Sequence, residues 1–163
     1  MSRFAPRRFR HRDDGLEVLL PVDEQEILAA LLEQFRELLM VDDDPGLKRL
    51  KPVARPDDPE ANREFVEMIG DRLLQQRLEA VEIVERGVVG AVLDDDEVAA
   101  WLQTINGLRL VLGERLEVSE DLLPLDDGDP DAPARALYEW LGWLLEQLVG
   151  AATRDLPPGD RDD

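Results

Sequence analysis

The hydrophobic residues of this chain recur mainly at steps of three and four, the spacing that gathers side chains on one face of an α-helix. The clearest stripe begins after Asp94. Val98, Trp101, Leu102, Ile105, Leu108 and Leu112 share one face, which predicts a helix running to about Leu116. Asp94 is placed to cap this helix and Glu97 to reach back to the cap's own N–H. Leu93 and Val98 flank the box as a hydrophobic staple would. This helix reads as the centre of a helical core. A second stripe, formed by Ile27, Leu28, Leu31, Leu32, Phe35, Leu38 and Leu39, follows a similar capping opening at Val22–Ile27 and ends at Asp42–Gly46.

A third helix is predicted from Pro59, with Asp58 as its cap, to about Glu85. Phe65, Ile69, Leu73, Ala80 and Val84 mark its main face, with Leu74, Leu78 and Val81 beside it. A face this wide predicts packing from two sides. Gly70 inside it costs about 1 kcal/mol relative to alanine and so predicts a close crossing or a bend. The last helix should span about Ala134 to Thr153, with Leu137, Trp140, Leu141, Leu144, Leu145 and Leu148 facing inward.

A period of two appears only near the N-terminus, where residues 7–20 read as a hairpin. Asp14-Gly15 is the turn signal. Phe9 and His11 lie on one face of the first strand and Arg8, Arg10 and Arg12 on the other, while Leu16, Val18 and Leu20 alternate beyond the turn. A lone hairpin is marginal in water, so its apolar face must rest on the helices. Residues 42–58 read as an irregular connection with a short Leu47–Leu50 turn, and Gly87–Gly90 as a change of direction. Val118–Leu123 reads as a helical turn capped by Ser119, and residues 124–133 as a loop. The expected fold is mainly α, a helical bundle-like single domain with a small N-terminal β-hairpin. Residues 1–20 form the basic arm and hairpin, 21–155 the helical domain, and 156–163 a flexible tail.

At 163 residues the chain is long enough to bury a core without staples. It has no cysteine, which excludes disulfides, thiolate metal sites and thiol catalysis. No apolar run approaches the roughly 20 residues of a membrane span, and the arginines at the N-terminus are followed by no apolar signal segment. A cytoplasmic protein that does not enter the membrane is the expectation. The net charge of −19 repels a polyanion over most of the surface. Its distribution is uneven: Arg3, Arg7, Arg8, Arg10 and Arg12 stand within the first twelve residues, and all 38 acidic residues follow them. Such an arm can pair with the acidic body, with another subunit or with an outside anion, and pairing with nearby acids is the ordinary outcome.

Little in the chain can carry out a reaction. His11 is the single histidine, and a triad joining it to Ser2 or Ser119 has no supporting pattern. The acid clusters at Asp42–Asp44, Asp94–Glu97 and Asp126–Asp131 invite a metal reading. Asp127, Asp129 and Asp131 match the opening of a calcium-binding loop, but Ala132 stands where that loop needs glycine and Tyr138 where it needs glutamate. Caps and solvated loops account for all three clusters. No phosphate-binding glycine loop is present. Trp101 and Trp140 fall on core faces, whereas Trp143 is placed to extend beyond the core. No catalytic, cofactor-binding or metal-ligating residue is expected. The candidate contact residues toward a partner or nucleic acid are Arg7, Arg8, Arg10, Arg12 and Trp143.

The run Trp101-Leu102-Gln103-Thr104-Ile105-Asn106-Gly107-Leu108-Arg109-Leu110-Val111-Leu112-Gly113, followed by Arg115-Leu116, resembles the signature of an actinobacterial family of domains of unknown function. Tyr138-Glu139-Trp140-Leu141-Gly142-Trp143-Leu144 and the hairpin at Phe9 are similar to it as well. That family includes a redox-responsive transcriptional regulator. The resemblance implies a cytoplasmic helical regulator acting with a sigma factor or RNA polymerase rather than an enzyme. The characterised regulator senses oxidants through paired cysteines, which this chain lacks, so thiol sensing does not carry over. Within the shared run, Asn106 with Gly107 is expected to let another helix approach, and Arg109 to pair with acids of the body. The expectation is a regulatory or protein-interaction module without cofactors; the alternative is a DNA-contacting regulator using the arginine arm. A homodimer is open to the chain if the Trp143 face is exposed.

Overall fold

The computed structural model describes residues 7–41, 59–122 and 131–153. Strands β1 (Phe9–Arg12) and β2 (Gly15–Val18) lead into helix α1 (Val22–Leu39). Helix α2 (Pro59–Gly87), strand β3 (Val92–Leu93), helix α3 (Asp95–Leu122) and helix α4 (Ala132–Ala152) follow. The protein is mainly α, as the stripes predict. The connection at 42–58, the loop at 124–130 and the tail at 156–163 lie outside the described residues.

The three strands form one antiparallel sheet in the order β1-β2-β3. Phe9 faces Val18 and Arg12 faces Gly15, so the two turn residues are Asp13 and Asp14 rather than Asp14 and Gly15. Gly15 has another task. Its φ is +144°, and a Cβ built there would stand 2.4 Å from the Leu93 carbonyl oxygen. A glycine is therefore needed for β3 to pair with β2, where Leu16 faces Leu93. Strand β3 has only two residues, too short to leave a periodic signal.

The apolar face of the sheet is closed by the helices. Phe9, Leu16, Val18 and Leu20 are buried in one cluster with Trp101, Ile105, Leu141, Leu144 and Leu148. Trp101, fully buried, meets the Phe9 ring edge-to-face at 5.7 Å between centroids. Helix α3 lies centrally and packs on α4, α2 and α1. Gly107 lets α1 approach it: a Cβ there would be 3.0 Å from Phe35 Cζ. The expected role of the Asn106-Gly107 pair is thus fulfilled by the glycine.

The helix ends differ from one another. At α3 the capping box is complete, with Glu97 N–H donating to Asp94 Oδ1 at 2.8 Å and Asp94 N–H to Glu97 Oε1 at 3.0 Å. At α1 no such box forms. Pro21 occupies the cap position with extended backbone and the helix starts at Val22, so Asp23 and Glu24 fall in the first turn. There they still favour the helix through its dipole. Helix α3 continues unbroken to Leu122, placing Ser119 inside it instead of at the start of a separate turn. No proline interrupts the stretch, and each residue there is compatible with a helix.

At 29 residues α2 extends roughly 43 Å, and α1, at 18, roughly 27 Å. Among the described residues, the well-covered part of α2 is its second half. Ala80, Val81 and Val84 are buried there, and Arg36 of α1 pairs with Glu85. In the first half Phe65 is 39% and Met68 54% exposed, so Phe65 does not belong to a core face. Among the described residues, a Cβ at Gly70 would meet nothing within 4 Å, and no described element crosses closely there. No described helix is long and apolar enough to cross a membrane.

These two glycines should respond oppositely to alanine. Gly70→Ala fills open space in a helix and should raise stability by about 0.5–1 kcal/mol. Gly15→Ala forces β3 from β2 at a strained φ and should lower stability by more than about 1 kcal/mol. Urea unfolding of both variants, compared with the parent, reads both signs.

Candidate functional site

Alternation along β1 sends Phe9 into the core and the neighbouring arginines outward. Arg10 faces Glu17 across the ladder and pairs with it. Arg12 Nε lies 3.1 Å from Asp14 Oδ1, and its Nη1 3.7 Å from Glu17 Oε2. Both arginines are largely exposed. Arg8 is not. Its Nε and Nη2 donate to the two carboxylate oxygens of Glu24 at 2.8 and 2.6 Å, and the two side chains are only 12% and 14% exposed.

Glu24 stands in the first turn of α1, where unpaired N–H groups favour an anion. It also accepts from Trp140 Nε1 at 3.1 Å. The Arg8 guanidinium in turn lies 5.0 Å from the centre of the Trp143 ring, within cation–π range. Sheet, α1 and α4 are thereby clamped together through one bidentate pair and two indoles. Among the residues singled out from the sequence, Arg8 and Trp143 meet here. Arg10 and Arg12 stay on the exposed hairpin face beside acids, and Arg7 is exposed just before β1. Trp143 is partly buried and carries Arg8 on its ring.

The remaining candidates do not converge. His11 borders a pocket of about 50 Å3 shared with Leu16, Asp95 and Ala151, space for little more than water. Ser2 lies outside the described residues, as do Asp42–Asp44 and Asp126, Asp127 and Asp129. Asp94 and Glu97 are engaged in the α3 cap. No group of three or more potential metal ligands occurs among the described residues. Arg109 departs from the expected ion pair: its guanidinium lies over the Tyr138 ring at 5.0 Å. A Cβ at Gly142 would be 3.2 Å from Arg109 Nε, so the glycine makes room for this stacking between α3 and α4.

One surface feature lies outside the expectations from sequence. An open groove of about 510 Å3 runs along α2, lined among the described residues by Asp71, Leu74, Gln75, Leu78, Glu79 and Glu82. The leucines floor it and carboxylates stand beside them. Met68, nearer the N-terminus of the same helix, is exposed. The groove's signal in the sequence is the second apolar face of this helix. That face is expected to be packed, and Leu74 and Leu78 are partly buried against the core with the groove passing over them.

These elements define a small helical domain whose N-terminal sheet is clamped onto its core. A family profile matches residues 6–152, and the chain belongs to that family, DUF2017, a domain of unknown function. No curated protein and no solved structure matches the chain.

The clamp and the surface pairs should differ in weight. Arg8→Ala leaves Glu24 largely buried without its cation and should cost roughly 2–4 kcal/mol. Arg10→Ala removes an exposed pair and should cost less than about 1 kcal/mol. Denaturant midpoints of the two variants check the difference.

Proposed function

We propose that this protein is a non-enzymatic, cytoplasmic regulatory module that works by docking a protein partner in the α2 groove. The observation that carries this reading is the groove itself, an apolar floor at Leu74 and Leu78 beside Asp71, Glu79 and Glu82. Its chemistry fits a basic amphipathic helix, whose apolar residues would cover the leucines while its cations meet the carboxylates. The resemblance of residues 101–113, 115–116 and 138–144 to the signature of an actinobacterial family that includes the oxidative-stress regulator AosR supports a partner in transcription, a sigma factor or RNA polymerase. The missing cysteines separate this chain from a thiol sensor.

The alternative reading, a DNA-contacting regulator, draws on the arginine arm. Arg8, Arg10 and Arg12 have carboxylate partners on their own domain, which lowers the charge left for phosphates. A second copy of the chain gains no support from Trp143, whose ring is already covered by Arg8.

Purified RNA polymerase holoenzyme and free sigma factor, each titrated with the full chain, test the proposal. Glu79 and Glu82 are exposed, so Glu79→Lys with Glu82→Lys leaves the core intact. Saturable binding by the parent, weakened at least about tenfold in this variant and by added salt, is the expected result. Absence of binding to either protein, or equal binding by the variant, would overturn it. Salt-sensitive retention on duplex DNA without polymerase would favour the alternative.

A further inference from the structure

We propose that the cleft where α1, α2 and α3 meet binds a small uncharged molecule, an amide on a planar apolar body. This goes beyond the docking role, and the cleft shares no lining residue with the α2 groove. It holds about 240 Å3. Phe35 of α1, which closes on α3 at Gly107, and Leu110 form its apolar side. Gln103, Thr104, Asn106 and Arg77 supply the polar groups.

Three observations select the ligand. First, a hydroxyl is left over. Thr104 is 2% exposed, and its Oγ1 has no hydrogen-bond partner in the protein. Buried hydroxyls are nearly always bonded, and leaving one unbonded costs stability. A threonine inside a helix can return its hydroxyl to the carbonyl one turn back, and this one does not. Oγ1 is closed to water in the empty cleft, so its bond to a ligand forms through a turn of χ1 between staggered positions.

Second, the groups within reach are neutral. Gln103 and Asn106 are exposed, and each side-chain amide offers both donors and an acceptor, the pattern that another amide complements. Arg77 already has an interaction within the protein, and the net charge of −19 works against an anion over the whole surface. No carboxylate stands among the described lining residues to hold a cation. Third, Phe35 and Leu110 present an apolar wall, which a planar ring covers and a bare amide such as urea leaves open. The volume lies below the roughly 300–1,000 Å3 of drug-sized sites, which limits the ligand to about the size of benzamide. In a regulator without cysteine, such a site would supply an input other than thiol oxidation.

The experiment titrates the full-length chain with benzamide, benzoate and benzamidinium, which share a shape and differ in charge. The side-chain amide NMR signals of Gln103 and Asn106 report binding. Benzamide should give saturable shifts at both residues, and the two charged analogues should bind at least about tenfold more weakly. Thr104→Val keeps the shape and removes the hydroxyl. It should raise the urea midpoint of the unliganded chain, since an unbonded buried hydroxyl is lost, and weaken benzamide binding at least about fivefold. If that variant fails to fold, the three-way comparison on the parent chain still decides. No saturable benzamide shift, a charged analogue binding as tightly as benzamide, or undiminished benzamide binding by the variant would each overturn the proposal.

Discussion

The contact on which the fold depends is the edge-to-face meeting of Phe9 and Trp101. Trp101 is fully buried near the start of the central helix. Gly87, at the end of α2, lies so near that a Cβ would stand 3.1 Å from the indole, and Leu93 of β3 borders the same space. Sheet, α2 and α3 therefore meet at one ring. A large aromatic side chain suits this position because it buries more surface than any aliphatic one and offers faces and edges to different neighbours. Once Phe9 is fixed on it, the register of β1 follows, since a slip of one residue would exchange Phe9 for an arginine.

That register determines what the basic strand can do. With Phe9 inward, Arg8 and Arg10 must point away from the ring, and each finds a carboxylate on its own domain. Strand β1 is thus an integral part of the core on one face and an internally neutralised surface on the other. A chain that concentrates five arginines before an acidic body looks like one with a free cationic arm. Pairing alters that picture for residues 8–12, and it moves the functional emphasis from the strand to the acidic groove on α2.

Much of this architecture is legible from residue spacing. The stripe from Val98 to Leu112, the box at Asp94 and Glu97, and the buried row Leu28, Leu32, Phe35 and Leu39 all emerge from helical periodicity, because a buried face needs repeated apolar residues. What periodicity does not carry is the environment of each face. Leu74 and Leu78 have the same spacing whether another helix covers them or a groove lies open above them. Gly15 and Gly70 illustrate the same point for glycine: a sequence shows that Cβ is missing, while only the neighbours show whether that absence is required. The Arg8 clamp joins positions 8, 24, 140 and 143, a long-range constellation that no local pattern encodes.

The central claim is that the basic strand belongs to the cooperative core. Native-state hydrogen exchange tests it at the Leu19 amide, which donates to the Arg8 carbonyl at 2.8 Å, with the Ile105 amide inside α3 as reference. Equal protection of the two amides, both exchanging only through global unfolding, is the predicted result. Exchange at Leu19 that is orders of magnitude faster while Ile105 stays protected would show a detachable arm and contradict the account.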